Sequence, residues 1–122
     1  MAQRTRSLDP THVTVDTNPV RIRVMAGNQP IAETQRGLVV REKGLPARYY
    51  IPREDVRMEL LMRTHDGASC PYKGDWVHVD LHLGERTVSK VAWTYYRTLE
   101  DGPQIRDYIA FYPEKVTLTI EP

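Results

Sequence analysis

Trp76-Val77-His78-Val79-Asp80-Leu81-His82-Leu83-Gly84-Glu85 is the stretch whose reading decides the fold. Val77, Val79, Leu81 and Leu83 alternate with His78, Asp80 and His82. That period of two predicts a strand with its aliphatic face in a core and its polar face in water. Gly84-Glu85 then closes a hairpin onto a second strand over Thr87–Tyr96.

The same period recurs on both sides of this hairpin. Val20, Ile22 and Val24 alternate with Arg21 and Arg23, and Val116, Leu118 and Ile120 alternate with Thr117 and Thr119. Gly27-Asn28-Gln29-Pro30 joins Val20–Met25 to a strand starting near Ile31, and Lys43-Gly44-Leu45-Pro46 separates Leu38–Glu42 from Arg48–Ile51. The pattern predicts a mainly β fold, a small single-domain barrel or packed-sheet architecture with one or two short helices. The first helix is expected after Pro52, where Glu54 and Asp55 suit a positive N-terminal end and Met58, Leu61 and Met62 fit a helical stripe. The competing strand pattern of Val56, Met58, Leu60 and Met62 covers the same residues. The second is a single turn over Gly102–Asp107 that feeds a strand at Tyr108–Tyr112. Residues 1–15 read as a partly ordered N-terminal lead-in and 16–122 as one β-rich domain.

The chain has 122 residues, enough for a single core. Seventeen Lys and Arg against sixteen Asp and Glu leave a net charge of +1, so no global field draws the protein to nucleic acid or to a membrane surface. No apolar run is long enough to span a bilayer, and the first ten residues carry no hydrophobic leader core. A single cysteine rules out an internal disulfide and a CxxC zinc site, and is consistent with a cytoplasmic location. His78 and His82 lie about 13 Å apart along an extended chain, too far to share one metal ion without a partner element, so no metal site is expected; no cofactor is expected either.

Two blocks concentrate the chemistry. Cys70-Pro71-Tyr72-Lys73-Gly74 holds the one thiol and a lysine, and Tyr49-Tyr50-Ile51-Pro52-Arg53-Glu54-Asp55-Val56 is dense in aromatic and charged residues. A cation near Cys70 would lower its pKa and make it a candidate nucleophile or redox thiol. The plainer reading is a small buried hydrophobe before a proline turn. Lys73 beside Gly74 suits an anion, although the pattern is far from a P-loop. Tyr50, Tyr72, Trp93 and Tyr95 combine an apolar body with a hydrogen-bonding group and suit either a core or a ligand wall. Arg36 and Glu42, six residues apart around Leu38-Val39-Val40, would share a face of an extended strand.

These blocks also carry a resemblance. Ile31-Ala32-Glu33-Thr34 with Arg36 and Glu42, Tyr49–Val56 leading to Leu60-Leu61, Cys70-Pro71-Tyr72-Lys73-Gly74, Ala92-Trp93 with Tyr95, and Ile109-Ala110-Phe111-Tyr112 resemble the family catalogued as domain of unknown function 427, which also bears a nucleotidyltransferase-like label. The resemblance runs from about Val20 to Val116. It implies a small, mainly β domain and no established activity. The chain lacks the Gly-Ser with paired aspartates usual in nucleotidyltransferases. After Lys-Gly the family usually has a small residue at the second position. Here that residue is Trp76, which would fill space that other members leave open.

Three functions compete. The first is binding, with or without chemistry, of a small polar or anionic metabolite in an aromatic-lined pocket. Its ligand-binding candidates are Arg36, Glu42, Tyr50, Asp55, Tyr72, Lys73, Trp93 and Tyr95. The second is a thiol-dependent enzyme or redox protein using Cys70. The third is a non-catalytic interaction module, including a homo-oligomer paired through exposed strand edges. The first is preferred, with the site expected where Tyr49–Asp55 meets Cys70–Gly74 and the Trp93–Tyr95 strand.

Overall fold

A computed structural model describes residues 5–121. They form one open, nine-stranded antiparallel sheet: β1 (Val13–Val15), β2 (Val20–Ala26), β3 (Gln29–Glu42), β4 (Arg48–Ile51), β5 (Leu61–Cys70), β6 (Gly74–Leu83), β7 (Arg86–Thr98), β8 (Ile109–Phe111) and β9 (Thr117–Glu121). The spatial order is β5-β6-β7-β8-β4-β3-β2-β9, with β1 added to β3. The ends are not joined, so of the two expected architectures the structure has packed sheet layers, not a closed barrel.

The three anticipated hairpins are present. Ala26 pairs with Gln29, Val40 with Arg48, and Leu83 with Arg86. The long β3 bends the sheet. Its first half pairs with β2 and its second with β1 and β4. Between them the register slips, from Ile22 opposite Thr34 to Val20 opposite Gly37. Gly37 sits in this crease, where a Cβ would collide with the Ile22 side chain. A strand passing between layers through a bulge is a usual way to fold a sheet over itself.

The first helical expectation is met only as short 3₁₀ turns, and the second is not met. Pro52 is followed by two 3₁₀ turns, Arg53–Asp55 and Met58–Leu60, and then by β5. Arg57 N–H donates to Ile31 O at 2.9 Å and Ala32 bridges Val56, so this segment is tied to β3 and cannot wind into an α-helix. Gly102–Asp107 is also irregular. Asp107 N–H donates to Tyr95 O at 2.8 Å, and Tyr95 bridges Arg106.

The central strands bury both faces. One face joins Ile22 and Val24 of β2 to Ile51, Val79, Leu81 and Phe111 in a single aliphatic core. The opposite face carries Tyr50, Trp93, Tyr95 and Ala110, packed with Val13, Val40 and Ile105. On β6, Val79 and Leu81 are buried as expected, but His78, Asp80 and His82 are half-buried, not lying in open water. The second aromatic layer shelters part of that face.

The lead-in is tied to the sheet where it is described. Glu100 N–H donates to Thr5 O, Leu8 N–H to Pro71 O and Lys43 N–H to His12 O, and Val13–Val15 completes β1. Among the described residues, no helix is long and apolar enough to cross a membrane.

Candidate functional site

A cavity of about 260 Å³ opens on the aromatic face. Its floor comes from alternation within strands. Tyr50 on β4 and Trp93 and Tyr95 on β7 project to the same side, and Trp93 Nε1–H donates to Tyr50 Oη at 3.0 Å with both groups buried. The rings meet edge to face, 6.1 Å apart. Burial pushes the phenols of Tyr50 and Tyr95 well above the ordinary tyrosine range, so both stay protonated and neutral.

One wall is ionic. Glu42 ends β3, and Lys73 lies in the Cys70–Gly74 turn between β5 and β6. Lys73 Nζ stands 2.5 Å from Glu42 Oε1, with both side chains nearly buried, at 13% and 14% exposure. The contact is a charge pair without hydrogen-bond angles, since Oε1 has no hydrogen-bond partner among the described residues. Lys73 Nζ also lies 5.7 Å from the centre of the Tyr95 ring. Behind this wall, His12 Nε2 is 3.5 Å from Glu42 Oε2, and its ring stacks on Tyr72 at 3.8 Å.

The cavity is also lined by Arg48, the first residue of β4 and two before Tyr50. Its guanidinium carbon lies 5.4 Å from the Trp93 ring centre and 6.0 Å from that of Tyr112. No carboxylate pairs with Arg48 among the described residues. Leu45 and Pro46 form the rim, and Trp76 and Cys70 complete the lining. Trp76 bounds the cavity without filling it.

The structure thus brings Glu42, Tyr50, Cys70, Lys73, Trp93 and Tyr95 to one cavity. Tyr72 stands behind it, bracing His12. Arg36 and Asp55 lie elsewhere, paired with each other at 3.2 Å, and Asp55 Oδ2 also accepts Thr34 Oγ1–H at 2.6 Å. The expected shared face of Arg36 and Glu42 is broken by the crease in β3, which leaves Gln35 and Arg36 exposed in succession. Sequence reasoning missed Arg48 and Tyr112 as cavity residues. The spacing of Arg48 from Tyr50 was the available signal, since residues two apart on a strand share a face.

Among the described residues, no group of three His, Cys, Asp or Glu side chains is placed to hold a metal ion. No hydrogen bond from a histidine or lysine reaches the Cys70 thiol among them either. The arrangement is a neutral aromatic floor with a Lys73–Glu42 charge pair and a guanidinium that has no carboxylate partner among the described residues.

No curated protein matches the chain. A family model described as Domain of unknown function (DUF427) matches residues 14–122. That span runs from β1 to β9 and contains every wall of the cavity, and the chain belongs to this family.

Proposed function

We propose that the protein binds a small anionic metabolite with a flat or apolar body in the Arg48–Trp93–Tyr95 cavity, working as a small domain in the reducing cytoplasm. One observation carries this reading. Arg48 is a half-buried guanidinium laid against two aromatic rings with no carboxylate partner among the described residues. A guanidinium so placed is poorly hydrated and presents a fork of donors matched to a carboxylate or a phosphate-like group. The aromatic floor takes the rest of the ligand. A cavity of about 260 Å³ lies at the small end of small-molecule sites and suits a small metabolite. The thiol reading has less support, because no histidine or lysine hydrogen-bonds the Cys70 thiol among the described residues.

Benzoate and benzenesulfonate are suitable probes, each a flat ring with one anionic group. Calorimetry or tryptophan fluorescence should detect binding of at least one. Arg48→Ala should weaken it about 10- to 100-fold, the usual effect of losing a charge-assisted hydrogen bond. Arg23→Ala, on the exposed side of β2, should leave it unchanged. Absence of binding by both probes, or equal effects of the two substitutions, would overturn the reading.

A further inference from the structure

Behind the Tyr112 wall lies a second chain of polar groups that the proposed binding does not use. His78 Nε2 is 3.1 Å from Tyr112 Oη. On the other side of the imidazole, Nδ1 is buried without a hydrogen-bond partner among the described residues, and its closest acidic atom is Asp66 Oδ2 at 3.7 Å. Asp66 is held in turn by Lys90 Nζ at 2.7 Å. Trp76 packs edge-on against the His78 ring, 4.9 Å away, and Tyr112 packs on Trp93 at 4.5 Å. The chain Asp66–His78–Tyr112 therefore runs from the outer sheet edge to the cavity.

The backbone is shaped around it. The β5–β6 register jumps between Arg63 and Gly67, across the residues that carry Asp66, and Thr64 Oγ1–H donates to His78 O at 3.0 Å. The β6–β7 register jumps between Val79 and Leu81. The extra residues on β7 include Lys90, whose φ of 53° is rare for a lysine and whose N–H donates to Asp80 Oδ1 at 2.8 Å. Bulges re-aim side chains, and these two bring Asp66 and Lys90 together beside His78.

We propose that Asp66, His78 and Tyr112 form a proton-controlled switch on the hydrogen bond the cavity offers to an anion. The inference rests on the anion-binding reading above. With His78 neutral and its proton on Nδ1 facing Asp66, Nε2 accepts the Tyr112 hydroxyl hydrogen. The phenol oxygen then presents only lone pairs elsewhere, which repel an anion. With His78 protonated, Nε2–H donates to Tyr112 Oη, and the hydroxyl hydrogen is freed to point into the cavity. One proton is taken up from solvent, no covalent bond changes, and the cavity gains a donor and a nearby positive charge. Histidine is the side chain suited to such a change between about pH 5 and 8.

The charged and titratable groups around the switch are Asp66 from β5, Lys90 from β7 through Asp66, Asp80 of β6 at the Lys90 backbone, and Arg48 and Glu114 beside Tyr112. The hydrogen bond and charge of Lys90 hold the Asp66 carboxyl below its usual range, which keeps a carboxylate beside His78. The direction follows by linkage. Protonated His78 favours the anion, so binding strengthens as pH falls, and a bound anion makes His78 harder to deprotonate.

The test uses benzoate and benzenesulfonate, both ionised between about pH 5.5 and 8. Affinity should rise about tenfold from the upper to the lower pH, within the usual range of coupling between sites. The His78 ring resonances should show a protonation midpoint that the probe moves upward. Tyr112→Phe and His78→Gln should remove this pH dependence while still binding the probe through Arg48. His12→Gln should keep it, although His12 also stands near the cavity. Asp66→Asn should reduce it, because Nδ1–H loses its carboxylate. Probe binding that depends on Arg48 but is flat with pH, or whose slope survives in Tyr112→Phe, would overturn the switch and leave the cavity reading standing. No binding at any pH would overturn both.

Discussion

Lys73 and Arg48 reach the same cavity with different obligations. Lys73 neutralises Glu42 within the fold, whereas Arg48 lies against the Trp93 and Tyr112 rings with no carboxylate partner among the described residues. Lys73→Ala would leave a nearly buried carboxylate with His12 as its remaining neighbour, and should cost about 3 kcal/mol in urea unfolding. Arg48→Ala gives up only stacking and should cost about 1 kcal/mol or less, while removing most probe binding. Equal stability losses would show that the two cations have been assigned the wrong roles. The buried phenols make a second residue-scale prediction. In the unfolded chain tyrosine ionises near pH 10, but burial keeps Tyr50, Tyr95 and Tyr112 protonated beyond it. The folded state therefore holds more protons above about pH 10, and stability should fall as pH rises through that region. Denaturation curves at about pH 8 and 11 should show the fall, and Tyr95→Phe should lessen it.

At the scale of elements, legibility followed side-chain burial. The hairpins at Gly27-Asn28, Lys43–Pro46 and Gly84-Glu85 could be read because each joins strands with at least one apolar face. β5 could not. From Met62 to Ser69 it is largely exposed, so no alternation was required of its sequence, and pairing with β6 alone makes it a strand. The Pro52–Met62 segment was misread for a related reason. Its helix-favouring residues yield to long-range bonds with β3, a tertiary effect that local propensity does not record. The turn after β5 depends on Gly74. Its φ is +133°, and an added Cβ would run into the Arg97 carbonyl of β7. Gly74→Ala should therefore destabilise by more than about 2 kcal/mol. A loss smaller than about 0.5 kcal/mol in thermal unfolding would mean that the β6–β7 pairing relaxes easily there.

Across the whole molecule, the candidate site was legible as pieces and not as an enclosure. The Tyr50, Cys70–Lys73 and Trp93–Tyr95 blocks could be joined because each combines aromatic and polar groups. Arg36 was grouped with them because a single sequence does not show that β3 creases at Gly37. That crease folds β2 over the sheet, placing Ile22 and Val24 in one core with Val79 and Leu81. The cavity lies on the other face of the same central strands: Tyr50 lies between Tyr49 and Ile51 on β4, and Ala110 between Ile109 and Phe111 on β8. Strands shared by two packed faces cannot release one face and keep the other. Leu81→Ala, remote from the cavity, should cost about 2–5 kcal/mol by opening a void in the aliphatic core. The loss should reach the aromatic face undiminished. Tryptophan fluorescence, which reports Trp76 and Trp93, should then follow the same denaturant curve as far-ultraviolet circular dichroism in wild type and variant alike. If fluorescence changed at lower denaturant than circular dichroism, the aromatic layer would be a separable unit, and the cavity would not be held by the core beneath it.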